Sequence, residues 1–315
     1  MRLRPAAILS DLPPAVRGSA LVFCGAAGIS FGPLIIKSIQ TGATSAAFYR
    51  MLFGGLALLL MALIRRERLL PPPHVLIATL LAGAAFSGDL FFWHRSIVLA
   101  GPGLSTLLAN FQVFVLALAG VFFFGDRPSL RLFGSIALAF GGLMLLLEVD
   151  PRALPPDLSR GILYGLITSI FLSIYILSLR HSRSLPKPLP LIANMAWVSL
   201  AAAAVLGGLL MLEGGSFTLN SPREAWMLVL YGCGCQAAGW LMVSAGLPHI
   251  SPGRGGLLLM AEPLCAFIWE ALFLRRSPGP VGWIGAGLTL LAIYICLKEQ
   301  GRGQNQDKNP STYGL

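Results

Sequence analysis

The sequence contains few charged residues. Asp, Glu, Lys and Arg make up 11% of its 315 residues, whereas soluble domains carry roughly 25%. Hydrophobic residues make up 56%, and the mean hydropathy is +0.76. This composition excludes an ordinary soluble domain and predicts an all-α integral membrane protein, because a backbone in lipid must form its hydrogen bonds within its own segment.

Acidic residues are scarcer than basic ones, and the formal net charge is +10. Such an excess is also found in nucleic-acid-binding proteins. Here the basic residues lie in short loops between apolar runs, which is the pattern of the positive-inside rule rather than of a binding face. We therefore expect a lipid bilayer, and no nucleic acid, as a partner.

Residues arranged for catalysis or metal binding are missing. The five cysteines lie inside apolar runs without a CxxC pair, and the four histidines lack metal-ligand spacing. The sequence has no G-x-S-x-G, H-E-x-x-H or phosphate-binding G-x-x-x-x-G-K-[ST] motif. The run Ser87-Gly88-Asp89 follows Phe86, so it fails the G-x-G-D pattern of membrane aspartyl proteases. We expect no catalytic residue, no metal, no cofactor and no enzyme activity.

Ten apolar runs are long enough to cross a bilayer as helices. The predicted spans, called segments 1 to 10 in chain order, are 16–37, 44–64, 73–94, 102–124, 129–147, 160–180, 188–212, 224–246, 253–274 and 279–298. The remaining residues, 299–315, form a polar tail that we expect to be disordered and cytoplasmic.

The two halves of the sequence resemble each other at an offset of 150 positions. Pro252 and Gly253 then align with Pro102 and Gly103, and Glu262 aligns with Gln112. This pattern predicts an internal duplication, with one repeat in residues 1–150 and the other in 151–298. Since five spans is an odd number, the second repeat must be inverted in the membrane relative to the first, as in many secondary transporters.

Basic residues predict the orientation. Of the 23 Lys and Arg residues, 15 fall at the amino terminus, around the connections after segments 2, 4, 6 and 8, and in the tail. Seven fall around the other connections, and Arg50 lies inside segment 2. The positive-inside rule then places both termini in the cytoplasm.

The segment 9 motif Met260-Ala261-Glu262-Pro263, the Gly-rich last segment and Arg50 in AAFYRMLFGG resemble the drug/metabolite transporter superfamily, EamA type. The first repeat departs from that pattern, with Gln112-Val113 where the family often has Glu-Pro. The run DLFFWHRSIVLAGPGLSTLLANFQV also resembles the bacterial aromatic amino acid exporters. These resemblances imply a multi-pass protein of the bacterial inner (cytoplasmic) membrane that exports amino acids through a central cavity.

Polar and aromatic residues at mid-membrane depth are the candidates for the site. Arg50 and Asp89 are expected to form a structural ion pair, and the alternative is that either of them contacts the substrate directly. Glu262 is either a structural hydrogen-bond acceptor near Pro263 or a proton-coupling or substrate-binding group. The candidate substrate-binding residues are Trp93, Asn110, Gln112, Ser169, Tyr175, Gln236, Trp240 and Glu262, and the candidate hinge residues are Gly32, Pro33, Gly103 and Pro263.

A cavity with amides, aromatic rings and few fixed charges suits a small neutral substrate, so the leading hypothesis is an amino acid exporter that works by alternating access. Phosphorylated substrates would require several basic groups, yet Arg50 is the only basic residue well inside a span. The alternatives are an exporter of other metabolites or drugs and a membrane scaffold that transports nothing. Energy coupling and the choice between a monomer and a homodimer stay open.

Overall fold

The computed structural model of the protein describes residues 13–100, 102–125, 130–147, 157–219, 221–273 and 279–307. Within these ranges the chain forms fourteen α-helices, one π-helical segment and one short 3₁₀ helix, and no β-strand. The predicted all-helical class is therefore confirmed. The proposed boundary between the repeats, at residues 150 and 151, lies outside the described residues and stays a prediction.

The first half contains seven helices. They are α1 (Pro14–Ile29), α2 (Gly32–Lys37), α3 (Ala43–Ile64), α4 (Pro73–Ala100), α5 (Pro102–Ala109), α6 (Gln112–Phe124) and α7 (Leu130–Leu147). Helix α6 ends at Gly125, whose φ of 70° lies in the left-handed region that glycine adopts without strain.

The second half also contains seven helices and the two irregular segments. They are α8 (Leu158–Ser184), α9 (Leu191–Leu212), α10 (Pro222–Leu230), the π-helical segment (Tyr231–Gly239), α11 (Trp240–Gly246), the 3₁₀ helix (Leu247–His249), α12 (Pro252–Leu259), α13 (Ala261–Phe273) and α14 (Pro280–Asp307). Helix α14 continues past the predicted end of segment 10, so the prediction of a disordered tail is wrong for residues 299–307. Residues 308–315 lie outside the described part.

Seven helical stretches of the described residues are long and apolar enough to cross a membrane. They are Pro14–Ile36, Ala43–Ile64, Pro73–Ala100, Ser105–Phe124, Leu158–Ser184, Leu191–Leu212 and Pro222–His249. Leu130–Leu145 and Pro280–Ile295, in segments 5 and 10, are apolar but shorter. Segment 9 is divided between α12 and α13. The protein is thus a multi-pass membrane protein, and the predicted number of ten spans is not established by these lengths.

Two corresponding segments of the repeats are interrupted near the middle. Segment 4 is divided between α5 and α6 at Asn110 and Phe111, and segment 9 between α12 and α13 at Met260. The Asn110 side chain donates a hydrogen bond to Thr106 O, 2.7 Å away, and such bonding to the preceding turn competes with helix continuation. Pro263 is the third residue of α13, where its missing N–H is not needed.

Helices of the first half pack mainly against helices of the second half. Helix α3 packs on α9, α4 on α8, α6 on α12 and α7 on α14, while α1 packs on the π-helical segment and α11. Grouped by predicted segment, these pairs are 1 with 8, 2 with 7, 3 with 6, 4 with 9 and 5 with 10, and exchanging the two halves converts each segment pair into itself or into another pair of the set. The packing therefore has the symmetry that two equivalent repeats would produce.

Helices α3 and α9 are antiparallel. The Glu67 carboxylate, after the end of α3, accepts a hydrogen bond from Ala193 N in the first turn of α9, at 3.0 Å. At the opposite end, the Glu213 carboxylate, after the end of α9, accepts a hydrogen bond from Thr44 Oγ1 in the first turn of α3, at 2.8 Å. An acid at a helix amino terminus offsets the positive end of the helix dipole, so each helix stabilises the start of the other.

Candidate functional site

A small cavity lies at the centre of the bundle. Its volume is about 40 Å³, which is room for about three water molecules at roughly 10–15 Å³ each. Both halves contribute to its walls. The lining residues are Ile29, Arg50, Phe86, Asp89, Leu90, Trp93, Thr106, Ala109, Asn110, Gln112, Leu172, Trp240 and Glu262. Seven of the ten residues predicted for binding or for the ion pair are thus brought together: Arg50, Asp89, Trp93, Asn110, Gln112, Trp240 and Glu262.

The two half-helices α6 and α13 begin at this cavity. Gln112 is the first residue of α6, and Glu262 is the second residue of α13. The free N–H groups at a helix amino terminus create a partial positive charge, and interrupted helices that point such ends at a central site are typical of transporters. The aligned positions Gln112 and Glu262 therefore both lie at the start of a half-helix and both line the cavity.

Several polar groups of the cavity residues have no hydrogen-bond partner among the described residues. They are the donors Arg50 Nε and Trp240 Nε1 and the acceptors Asn110 Oδ1 and Gln112 Oε1. The half-buried Glu262 carboxylate likewise forms no hydrogen bond or ion pair in the described part of the chain. Leaving buried polar groups unpaired costs about 1–3 kcal/mol each, so these groups are expected to bond water or a ligand in the cavity.

Arg50 bonds to an aromatic residue instead of the predicted acid. Its Nη1 donates a hydrogen bond to Tyr231 Oη at 2.9 Å, and its guanidinium lies 4.8 Å from the centroid of the Tyr231 ring. Arg50 and Asp89 are both buried and line the same cavity, but they form no direct ion pair. The expected Arg50–Asp89 pair is therefore corrected to two opposite charges that face a shared space, where each attracts the other at a distance.

Aromatic rings form one wall. Phe86 stacks on Tyr175 with the ring centroids 4.0 Å apart, and Trp240 meets both rings edge-on at 5.0 and 4.9 Å. Phe86 and Trp240 line the cavity, whereas Tyr175 lies behind them. Tyr175, predicted to touch substrate, instead supports the rings that face the cavity.

Two predicted substrate residues lie elsewhere. Gln236 is fully buried and donates a hydrogen bond to Ser199 Oγ of α9 at 3.0 Å. In an α-helix the spacing Gln236-x-x-x-Trp240 would place both side chains on one face, but Gln236 lies in a π-helical segment, whose wider turns change which residues align. Ser169 donates to Leu166 O of its own helix at 2.7 Å, as Ser in membrane helices often does. Neither residue lines the cavity.

The candidate hinge residues lie beside interruptions or helix starts. Gly32 and Pro33 begin α2, directly after the interruption at Ser30 and Phe31. Gly103 is in the first turn of α5, and Pro263 follows the interruption at Met260. Their role as hinges stays a prediction.

Tyr231 and His94 are features that the sequence did not reveal. Tyr231 is fully buried against Arg50, and nothing in the pattern YGCGC indicated that pairing. His94 was placed at the end of segment 3, but α4 continues to Ala100, so His94 is buried inside the bundle with Nδ1 2.7 Å from Leu90 O. The longer helix also places Asp89 well inside α4.

Two sets of contacts join elements of the bundle near the two ends of α1. At one end of α1, Trp269 Nε1 donates a hydrogen bond to Ser30 Oγ at 2.7 Å, and the Trp269 ring stacks on Phe31 at 4.7 Å. We call these the Trp269 contact. They join α13 to the interruption between α1 and α2.

Near the other end of α1, Arg180 of α8 bonds the chain around the 3₁₀ helix. Its Nη1 donates to Leu247 O at 3.1 Å and to Ile250 O at 2.7 Å, and its guanidinium lies 5.2 Å from the centroid of the Phe124 ring. We call these interactions the Arg180 contact. They join α8 to the connection before α12 and to the end of α6.

Comparison with known proteins identifies the family. The model of the EamA-like transporter family matches residues 16–148 and again residues 159–298. A crystal structure described only as that of a protein has the same fold, with a TM-score of 0.75 and 18% identity over 89% of this chain and 96% of that chain. No curated protein matches the sequence. Because the family matches both halves, which confirms the predicted duplication, the chain belongs to the EamA-like transporter family.

Proposed function

We propose that this protein is a secondary transporter that exports amino acids with aromatic or hydrophobic side chains by alternating access through the central cavity. The observation that carries the proposal is the set of unpartnered polar groups in the cavity. An amino acid has a carboxylate that needs donors and an ammonium group that needs acceptors. Arg50 Nε and Trp240 Nε1 supply the donors, and Asn110 Oδ1, Gln112 Oε1 and the Glu262 carboxylate supply the acceptors.

The aromatic wall suits the side chain of such a substrate. Phe86, Trp93 and Trp240 present apolar rings to the cavity, and stacked or edge-on ring pairs contribute about 0.5–1.5 kcal/mol beyond burial of their area. A phosphorylated substrate would gain less from this cavity, because Arg50 is the only basic one among the described residues that line it.

The cavity is smaller than an amino acid, so transport requires a wider state. Opening one end would break the Trp269 contact, and opening the other would break the Arg180 contact. We infer that the structure corresponds to the compact state between these two, with ten spans in two inverted repeats. The antiparallel packing of α3 on α9, which occupy equivalent places in the two repeats, supports that inversion.

Location and orientation belong to the same proposal. We place the protein in the bacterial inner membrane with both termini in the cytoplasm, on the strength of the excess of basic residues on that side. The Arg180 contact is then at the cytoplasmic end and the Trp269 contact at the outer end.

Counterflow in liposomes that hold the purified protein tests the substrate class. Labelled aromatic and aliphatic amino acids, one cationic drug and one nucleotide sugar would be compared, with and without a pH gradient. We expect saturable exchange of aromatic amino acids. Exchange of the drug or the sugar alone would contradict the proposal in favour of another exporter of the superfamily, and exchange of nothing would favour a scaffold.

A further inference from the structure

A second cavity lies on the side of the bundle, where helices α4, α6 and α8 meet at the end that we expect to face the cytoplasm. Its volume is about 440 Å³, within the range of roughly 300–1,000 Å³ typical of ligand sites. It shares no lining residue with the central cavity. We call it the side groove.

The floor of the side groove is apolar and open to the surroundings of the bundle. Ile77 and Leu81 of α4 are each 60% exposed, and Phe123 of α6 is 81% exposed. Large apolar side chains with this exposure, on helices that cross a membrane, contact acyl chains. The groove is therefore a recess in the protein surface that hydrocarbon fills.

The cytoplasmic rim of the groove is polar and basic. His74 and His181 line it, and His74 Nε2 lies 3.2 Å from Pro186 O, which brings the connection after α8 to the rim. Arg68 Nη2 donates to Lys187 O at 2.8 Å in the same connection, so the Arg68 guanidinium and the residue Lys187 lie near this rim. Glu67, the acid of residues 65–74, already accepts a hydrogen bond from Ala193 N.

We propose that the side groove binds one anionic phospholipid of the cytoplasmic leaflet. Its acyl chain lies on Ile77, Leu81 and Phe123, and its phosphate lies beside His181 and Lys187. Charge complementarity favours an anionic headgroup over a zwitterionic one, because among the described residues near the rim Arg68 and Lys187 are basic and the acid Glu67 is already bonded.

The position of the site links the lipid to the Arg180 contact. Phe124 lines the groove, and its ring centroid lies 5.2 Å from the Arg180 guanidinium, which donates to Leu247 O and Ile250 O. A lipid against Phe124 therefore stabilises the arrangement in which the cytoplasmic end is closed. This consequence rests on the proposed orientation, whereas lipid binding itself does not depend on which substrate is carried.

Native mass spectrometry of the purified full chain tests the site. The protein would be mixed with equal amounts of phosphatidylglycerol and phosphatidylcholine, and retained lipid would be counted. We expect phosphatidylglycerol to be retained preferentially as a single adduct. Leu81→Trp fills the groove and should abolish that preference. The double variant His181→Gln, Lys187→Gln should reduce retention at least about fivefold, which is the effect of losing one lysine charge near an anionic headgroup.

Matched controls separate the site from general lipid binding. Leu163→Trp changes a residue of α8 that is 54% exposed and outside the groove, and Arg160→Gln removes an exposed cation at the other end of α8. Both should retain phosphatidylglycerol like the natural chain. Equal retention of the two lipids, or a Leu81→Trp variant that keeps its preference, would overturn the proposal. The milder Leu81→Phe serves if the Trp variant elutes as an aggregate.

Discussion

Arg50 is the residue at which the cavity most clearly departs from a packed membrane core. Its guanidinium is buried, its ring partner Tyr231 is neutral, and its Nε has no partner in the described part of the chain. Keeping a cation in this state is unfavourable unless a ligand completes its bonds. A substrate carboxylate would complete them.

Replacing Arg50 with Gln should therefore discriminate against carboxylates. Hydrogen bonds to charged groups contribute about 1.5–3 kcal/mol, so we expect the apparent affinity for tryptophan to fall roughly 10- to 100-fold. Tryptamine, which lacks the carboxylate, should lose little. Competition in counterflow measures both, with Tyr231→Phe as the control that keeps the ring beside Arg50. Equal losses for the two competitors would mean that Arg50 only holds the structure together.

The two roles considered for Glu262, structural acceptor and transport group, can be separated by measuring the stability of a variant. A structural acceptor would be bonded to neighbouring groups, yet the carboxylate has no hydrogen bond or ion pair in the described residues. We expect Glu262→Gln to leave the unfolding temperature unchanged or slightly higher, since it removes an unpaired charge, while lowering amino acid exchange. Thermal unfolding in detergent and counterflow provide the two measurements. A lower unfolding temperature with unchanged exchange would restore the structural reading.

The sequence predicts how deep a polar or aromatic residue lies in the membrane. It does not always predict which way the side chain points from its helix. Trp93, Asn110, Gln112, Trp240 and Glu262 were found because polar and aromatic residues stand out within apolar runs. Gln236 stood out equally, but the π-helical segment directs it to α9. Tyr231 was missed because a burial partner 181 positions away leaves no local pattern.

At the scale of helices, the Arg180 contact offers a test of alternating access. Arg180→Met removes the donors that hold Leu247 O and Ile250 O. Losing these two hydrogen bonds, each worth about 1.5–3 kcal/mol, should raise the population of the state that is open to the cytoplasm. We therefore expect a cysteine placed at the cavity residue Thr106 to react several-fold faster with a reagent supplied from the cytoplasmic side.

Arg183→Met is the matched control for that experiment. Arg183 lies three residues further along the same helix, and its Nε and Nη1 have no hydrogen-bond partner in the described part of the chain. It should leave the labelling rate of the Thr106 cysteine unchanged. Equal acceleration by both variants would show a general loosening of α8 rather than release of the cytoplasmic end.

Close helix contacts made by glycine can be tested by stability. A Cβ on Gly25 of α1 would lie 2.7 Å from both Gly239 O and Val243 Cγ2, whereas a Cβ on Gly134 of α7 would meet nothing within 4 Å. Gly25→Ala should therefore lower the unfolding temperature, because the helices must move apart. Gly134→Ala should keep or raise it, since Ala favours a helix by about 1 kcal/mol. Similar changes in both would contradict the packing of α1 on α11.

For the molecule as a whole, the duplication was predictable and the partner of each helix was not. Proline and glycine matches such as Pro102 with Pro252 revealed two repeats, and the family matches confirm them. Helices α3, α4, α8 and α9 are apolar on several sides, so the pattern of apolar residues does not indicate that α3 packs on α9 and α4 on α8. In lipid, small residues and shape select the partner rather than hydrophobicity, which a linear pattern does not record.

Inversion of the repeats predicts which connections share a side of the membrane. Because α3 and α9 are antiparallel, the residue before α3 should lie on the same side as the residue after α9. In a variant without natural cysteines, we expect Gln40→Cys and Ser216→Cys to react with an impermeant maleimide in intact cells. Leu70→Cys and Ser184→Cys should react only after permeabilisation, as the excess of basic residues on their side requires. Labelling of Gln40 and Ser184 from one side would exclude inverted repeats, and with them a central site shared by two equivalent halves.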